Sequence, residues 1–118
     1  MTYSQDLKNP KPRFKAHTTS AGLTAAIDLE GGTLVGLLVL ANPTSTTFTV
    51  TVSNEVDGTF VLLNDPLNSG TVITYTIAAA GIGYFPINPI NTQGFRFCKI
   101  QLNQSEAVEI YTSTRNIQ

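Results

Sequence analysis

The clearest pattern in the chain lies at residues 46–53 (TTFTVTVS), where Phe48, Val50 and Val52 alternate with Thr47, Thr49 and Thr51. A period of two sends the two sets to opposite sides of an extended backbone. The stretch therefore predicts a strand with one face on a core and one in water. Residues 71–77 (TVITYTI) repeat the alternation, with Ile73, Tyr75 and Ile77 opposing Val72, Thr74 and Thr76. Residues 33–41 (TLVGLLVLA) differ, being apolar at almost every position. That is the pattern of a central strand covered on both sides or lying at the middle of the sandwich. The run is too short for a comfortable helix, and Gly36 argues against one.

Further short runs at 16–20, 23–29, 59–63, 84–87, 95–102 and 107–114 complete the series. Gly31-Gly32, Asn42-Pro43, Asp65-Pro66, Gly81, Gly83 and Pro89 punctuate them. Residues 55–58 and 103–105 read as hairpin turns, with Gly58 able to take a positive φ. Strands of this length and spacing predict an all-β fold: an antiparallel two-sheet β-sandwich, jelly-roll or Ig-like, of about eight strands.

Residues 1–15 (MTYSQDLKNPKPRFK) show no period, and Pro10 and Pro12 favour an extended path over a helix. The chain thus divides into an extended basic N-terminal arm, 1–15, and a sandwich domain, 16–118. Charge sharpens the division. Lys8, Lys11, Arg13 and Lys15 against Asp6 leave the arm at +3, whereas residues 16–118 carry −4. The arm is the candidate partner-binding element: Tyr3, Leu7 and Phe14 as apolar anchors, and Lys8, Lys11, Arg13 and Lys15 as cations seeking an acidic or carbonyl-rich protein surface. It could also add a strand to a neighbour's sheet edge. The acidic body, lacking a basic face with exposed aromatics, argues against nucleic acid as the partner.

With 118 residues there is room for one core, and 13% charged residues leave threonine, serine, asparagine and glutamine to make the polar surface. The first apolar run is too short and too far from the start to act as a membrane span or a secretion signal, so cytosol-like conditions are expected. Candidate chemistry is sparse. His17, the single histidine, has no nucleophile motif beside it. Cys98 sits in an apolar strand and reads as a small hydrophobe. Glu55, Asp57 and Asp65 fall in turns, where acidic side chains serve the backbone, although a carboxylate pair or a calcium loop could draw on them. The expectation is a protein that is not an enzyme, with no cofactor and no metal.

Two segments carry a resemblance. Residues 52–63 read V-x-N-E-V-D-G-T-F-V-x-L and residues 94–100 read G-F-R-F-C-K-I. Together they resemble small β-sandwich proteins of tailed-phage virions, in particular the capsid decoration (cement) proteins, over about residues 34–114. The resemblance implies a structural protein on the capsid surface, made in the host cytoplasm. It would bind neighbouring major capsid protein subunits or other virion proteins, with the arm as anchor and no membrane involved. A homo-oligomer would fit the low surface charge. A neck or tail connector or a head-fibre subunit carries the same implication. The segments are also similar to discoidin-type carbohydrate-binding sandwiches, but tryptophan and the flanking cysteine pair are absent, so no site residue carries over from that family.

Overall fold

The predicted alternation is realised as pairing. The computed structural model describes residues 13–65, 67, 70–77 and 82–115. Nine strands fall among them: β1 (Arg13–Thr18), β2 (Ile27–Asp28), β3 (Thr33–Val39), β4 (Thr47–Ser53), β5 (Val61–Leu62), β6 (Tyr75–Thr76), β7 (Gly83–Pro86), β8 (Phe97–Leu102) and β9 (Glu109–Arg115). A short 3-10 turn, Pro89–Asn91, starts on Asn88, whose side chain accepts the Ile90 N–H. Among the described residues there is no α-helix.

The strands form two antiparallel sheets. One has the order β1-β9-β3-β7; the other has β2-β8-β4-β5, with β6 also pairing β4. The pairs β1 with β9, β2 with β8, β3 with β7, and β4 with β5 and β6 describe one long hairpin. It is rolled so that β9 also meets β3 and β8 also meets β4. This is jelly-roll connectivity, which settles the choice between jelly-roll and Ig-like arrangements. Pro86 sits on edge strand β7, where its missing N–H does least harm.

Two turn expectations are corrected. Residues 103–108 do not close a hairpin, because β8 and β9 lie in different sheets. The loop is tied to the β3–β4 connection instead. Asn103 Oδ1 accepts the Thr46 and Thr47 N–H groups at 2.9 and 3.2 Å. The Glu106 carboxylate accepts the Thr44 and Ser45 N–H groups at 3.0 and 2.8 Å, and the Ser45 hydroxyl as well. The 55–58 turn does form, closed by the Gly58 N–H on the Glu55 carbonyl at 3.0 Å, but Gly58 does not take a positive φ. It is needed for space: a Cβ there would meet Ser53 Oγ at 2.8 Å.

The core lies between the sheets. Phe48, Val50 and Val52 of β4 and Cys98, Ile100 and Leu102 of β8 face Leu34, Leu37, Val39 and Ile110 of the other sheet. Each fully buried side chain of this size contributes about 1.5–3 kcal/mol. A bulge at Val35 shifts the register of β3 so that Leu34 and Leu37 both point inward despite their odd spacing. Among the described residues, no buried side-chain nitrogen or oxygen lacks a hydrogen-bond partner. Thr24 donates its N–H to the Ile100 carbonyl and accepts the Ile100 N–H on Oγ1, both at 3.0 Å, so a hydroxyl completes the ladder.

Candidate protein interface

The two sheets present very different outer faces. Cross-strand partners share a face, so the register fixes each one. On the β2-β8-β4-β5 sheet, Thr47, Thr49 and Thr51 stand beside Lys99 and Gln101, and Thr47 opposes Thr76. Along β4 that face is polar, as the alternation of residues 46–53 requires, with Leu62 beside Thr51 and Phe97 beside Ser53 as its apolar members.

The outer face of the β1-β9-β3-β7 sheet is apolar. One row runs Phe14, Ser113, Gly36, Pro86; the next runs Ala16, Tyr111, Leu38, Tyr84. Leu40 and Ile82 follow at the strand ends. Phe14, Leu40, Ile82 and Tyr84 are 54, 57, 53 and 44% exposed. Glu109, which accepts the Tyr111 hydroxyl at 2.8 Å, and Arg115 mark opposite ends of the face on β9. Among the described residues no third layer lies over this sheet. Of the two readings of the run 33–41, the place at the middle of the sandwich holds: β3 lies between β9 and β7 with Leu34, Leu37 and Val39 in the core, and no described residue covers its other side.

Of the residues expected to bind a partner, Arg13, Phe14 and Lys15 lie within β1, hydrogen-bonded to β9 and starting three positions earlier than expected. The division drawn between residues 15 and 16 thus falls inside a strand. Tyr3, Leu7, Lys8 and Lys11 lie outside the described residues. Phe14 joins the apolar outer face, whereas Lys15 turns the other way and reaches Glu30 at 3.9 Å. β1 is an edge: among the described residues it pairs only with β9, leaving one side of its backbone open to another strand.

A cleft of about 740 Å³ opens between the β2–β3 turn, Asn54 and the 93–96 segment. Asp28 and Arg96 meet in its wall through two contacts, Nη2 to Oδ2 at 3.3 Å and Nε to Oδ1 at 3.4 Å. The bond from Arg96 holds the Asp28 carboxyl below its ordinary range, aided by the Glu30 N–H at 2.8 Å. No motif in the sequence announced this pairing, which joins residues far apart in the chain.

The residues weighed for chemistry stand apart. His17 faces inward from β1, with Nε2 3.0 Å from Thr112 Oγ1; burial, then Lys15, lowers its pKa. Cys98 is buried, and desolvation pushes its thiol up to about 12. Asp65 Oδ1 accepts the Leu67 N–H at 2.9 Å, serving its own turn. Among the described residues no three His, Cys, Asp or Glu side chains gather as a metal site would need. No described helix is long and apolar enough to cross a membrane.

No known family model matches the chain, and no curated protein matches it in sequence. Its fold is similar to that of the SPBc2 prophage-derived protein YomS. The TM-score is 0.56 at 10% identity, over 90% of this chain and 96% of that one. The Drosophila NLP core aligns over 92% of this chain and 98% of its own at 15% identity, but with a TM-score of 0.35 it carries no argument. A protein of prophage origin thus shares this fold.

Proposed function

We propose that this chain is a non-enzymatic structural protein of a phage virion, decorating or cementing the capsid by binding neighbouring major capsid protein subunits. The observation that carries the reading is the apolar outer face of the β1-β9-β3-β7 sheet. A soluble monomer rarely leaves a contiguous apolar patch of more than a few hundred Å² in water, and a larger one marks a binding surface. Aromatic side chains such as Phe14, Tyr84 and Tyr111 are the kind that anchor protein interfaces. The open edge of β1 adjoins that face, and residues 1–12, with Lys8 and Lys11 against Asp6 and two prolines, precede β1 in the chain. Together they supply an apolar contact, a strand edge and a tether. The shared fold with a prophage-derived protein supports the phage setting.

The test is co-sedimentation of the full chain with capsids assembled from the major capsid protein. The chain should pellet with them. Leu40→Glu and Phe14→Glu, at exposed positions, should keep the native circular dichroism spectrum and stay in the supernatant. Removal of residues 1–12 should leave a folded domain that binds more weakly. Unchanged pelleting of all three would overturn the reading.

A further inference from the structure

The cleft beside Arg96 adjoins the apolar face near Phe14, which shares a smaller pocket with Asp28 and Glu30, but its groups suit a different kind of ligand. We propose that it binds a neutral saccharide through adjacent hydroxyl groups. This goes beyond the capsid reading and does not depend on it.

The cleft's volume falls within the range of roughly 300–1,000 Å³ typical of small-ligand sites. Three of its lining residues, Gly31, Gly32 and Gly94, are glycines. Gly31 and Gly94 hold φ of +78° and +93°, a region costly for other residues, and a Cβ built on either would meet nothing within 4 Å. Missing side chains therefore leave both backbone and space accessible.

The charges argue for a neutral ligand. The Arg96 guanidinium is already engaged by Asp28, and the Glu30 carboxylate adds a second negative group to the same cleft. Glu30 is itself met by Lys15 at 3.9 Å, so the two carboxylates and two cations around the cleft balance and leave no net charge to draw an ion.

What remains is a set of fixed donors and acceptors. The Asp28–Arg96 pair offers carboxylate oxygens beside guanidinium N–H groups. Asn54 is held by its Oδ1, which accepts the Arg96 N–H at 3.3 Å. Its amide hydrogens have no partner among the described residues. Gln93 brings a second carboxamide, and Phe95 brings a ring half-buried against the core. A hydroxyl both donates and accepts. Two neighbouring hydroxyls on a sugar ring can thus bridge a carboxylate–guanidinium pair while the ring's C–H face rests on an aromatic.

The experiment is a titration of the ¹⁵N-labelled full chain, followed by amide chemical shifts. The probes are galactose, rhamnose and N-acetylglucosamine, each as its α- and β-methyl glycoside. At least one should produce saturable shifts at Gly31, Gly32 and Gly94 and at the Asn54 and Gln93 carboxamides. Arg96→Ala and Asn54→Ala should weaken that association on the order of tenfold, the equivalent of about 1.4 kcal/mol. Gln93→Ala, in an exposed loop, guards against loss of fold and should also weaken binding. Leu40→Glu, on the apolar face, should bind like the parent. No saturable shift in the cleft with any probe, or parental affinity in all three cleft variants, would overturn the proposal.

Discussion

The Tyr84 hydroxyl lies across Gly36 and donates to the Val35 carbonyl at 3.3 Å, so the glycine of β3 is the seat of a tyrosine on the neighbouring strand. A Cβ built on Gly36 would overlap the Tyr84 ring. The bulge at Val35 and the absent side chain at Gly36 let the aromatic lie flat on the outer face. This one contact shapes the centre of the proposed interface.

Gly36→Ala should therefore displace the half-exposed Tyr84 ring and cost about 0.5–1.5 kcal/mol through the lost hydrogen bond to Val35. In a Tyr84→Ala background the same change should be neutral or stabilising, because alanine is the better strand residue where space allows. Urea denaturation of the four proteins in this cycle measures the coupling. Simple additivity would show that the ring does not depend on the glycine.

Thr24→Val keeps the shape of the side chain but leaves the buried Ile100 N–H without its acceptor. The loss of an acceptor at a buried donor costs about 1–3 kcal/mol. A fall in the urea midpoint with unchanged slope is expected. A variant as stable as the parent would mean that the hydroxyl is dispensable.

Cys98 should be inert in the native state, since it is fully buried and its thiol is pushed up to about 12 by desolvation. Reaction with a thiol reagent should follow global unfolding, rising with urea in step with loss of the circular dichroism signal. Rapid labelling in buffer would contradict this.

Stability should fall in two separate acid steps. His17 has a folded pKa below its ordinary 6.5, chiefly from burial and then from Lys15. The unfolded chain therefore takes up its proton first. Stability is complete above 6.5 and declines as pH drops from there through the folded value. His17→Gln should remove this step.

For Glu106, desolvation is the largest single influence and pushes the pKa up. The bonds from Ser45 and Thr44 together outweigh it and bring the carboxyl below 4.5. Its contribution is present above 4.5 and is lost as pH falls through the folded value. Glu106→Gln should flatten the acid limb and loosen the tie between residues 44–45 and 106. Thermal melts from neutral to acid pH separate the two steps.

Much of the fold was legible because strand alternation is local. Each of the nine expected runs contains or overlaps a strand, and residues 46–53 revealed both the element and its two faces. The 103–105 turn was misread because the composition of a loop does not say which sheet the next strand joins. Hydrogen bonds from Glu106 and Asn103 to residues distant in sequence decide that. The first strand begins at Arg13 and not at residue 16, because Arg13, Phe14 and Lys15 look solvated in isolation and become a strand only against β9.

By itself, the amino-acid sequence determined that these segments extend, roughly where they stop, and which side chains of residues 46–53 face the core. Those properties follow from side-chain polarity at a period of two. Only the tertiary structure decided that Phe14, Leu38, Tyr84 and Tyr111 share one face that no described residue covers, and that Asp28 and Arg96 wall a common cleft. Such groupings depend on the register between strands far apart in the chain, which no local pattern encodes.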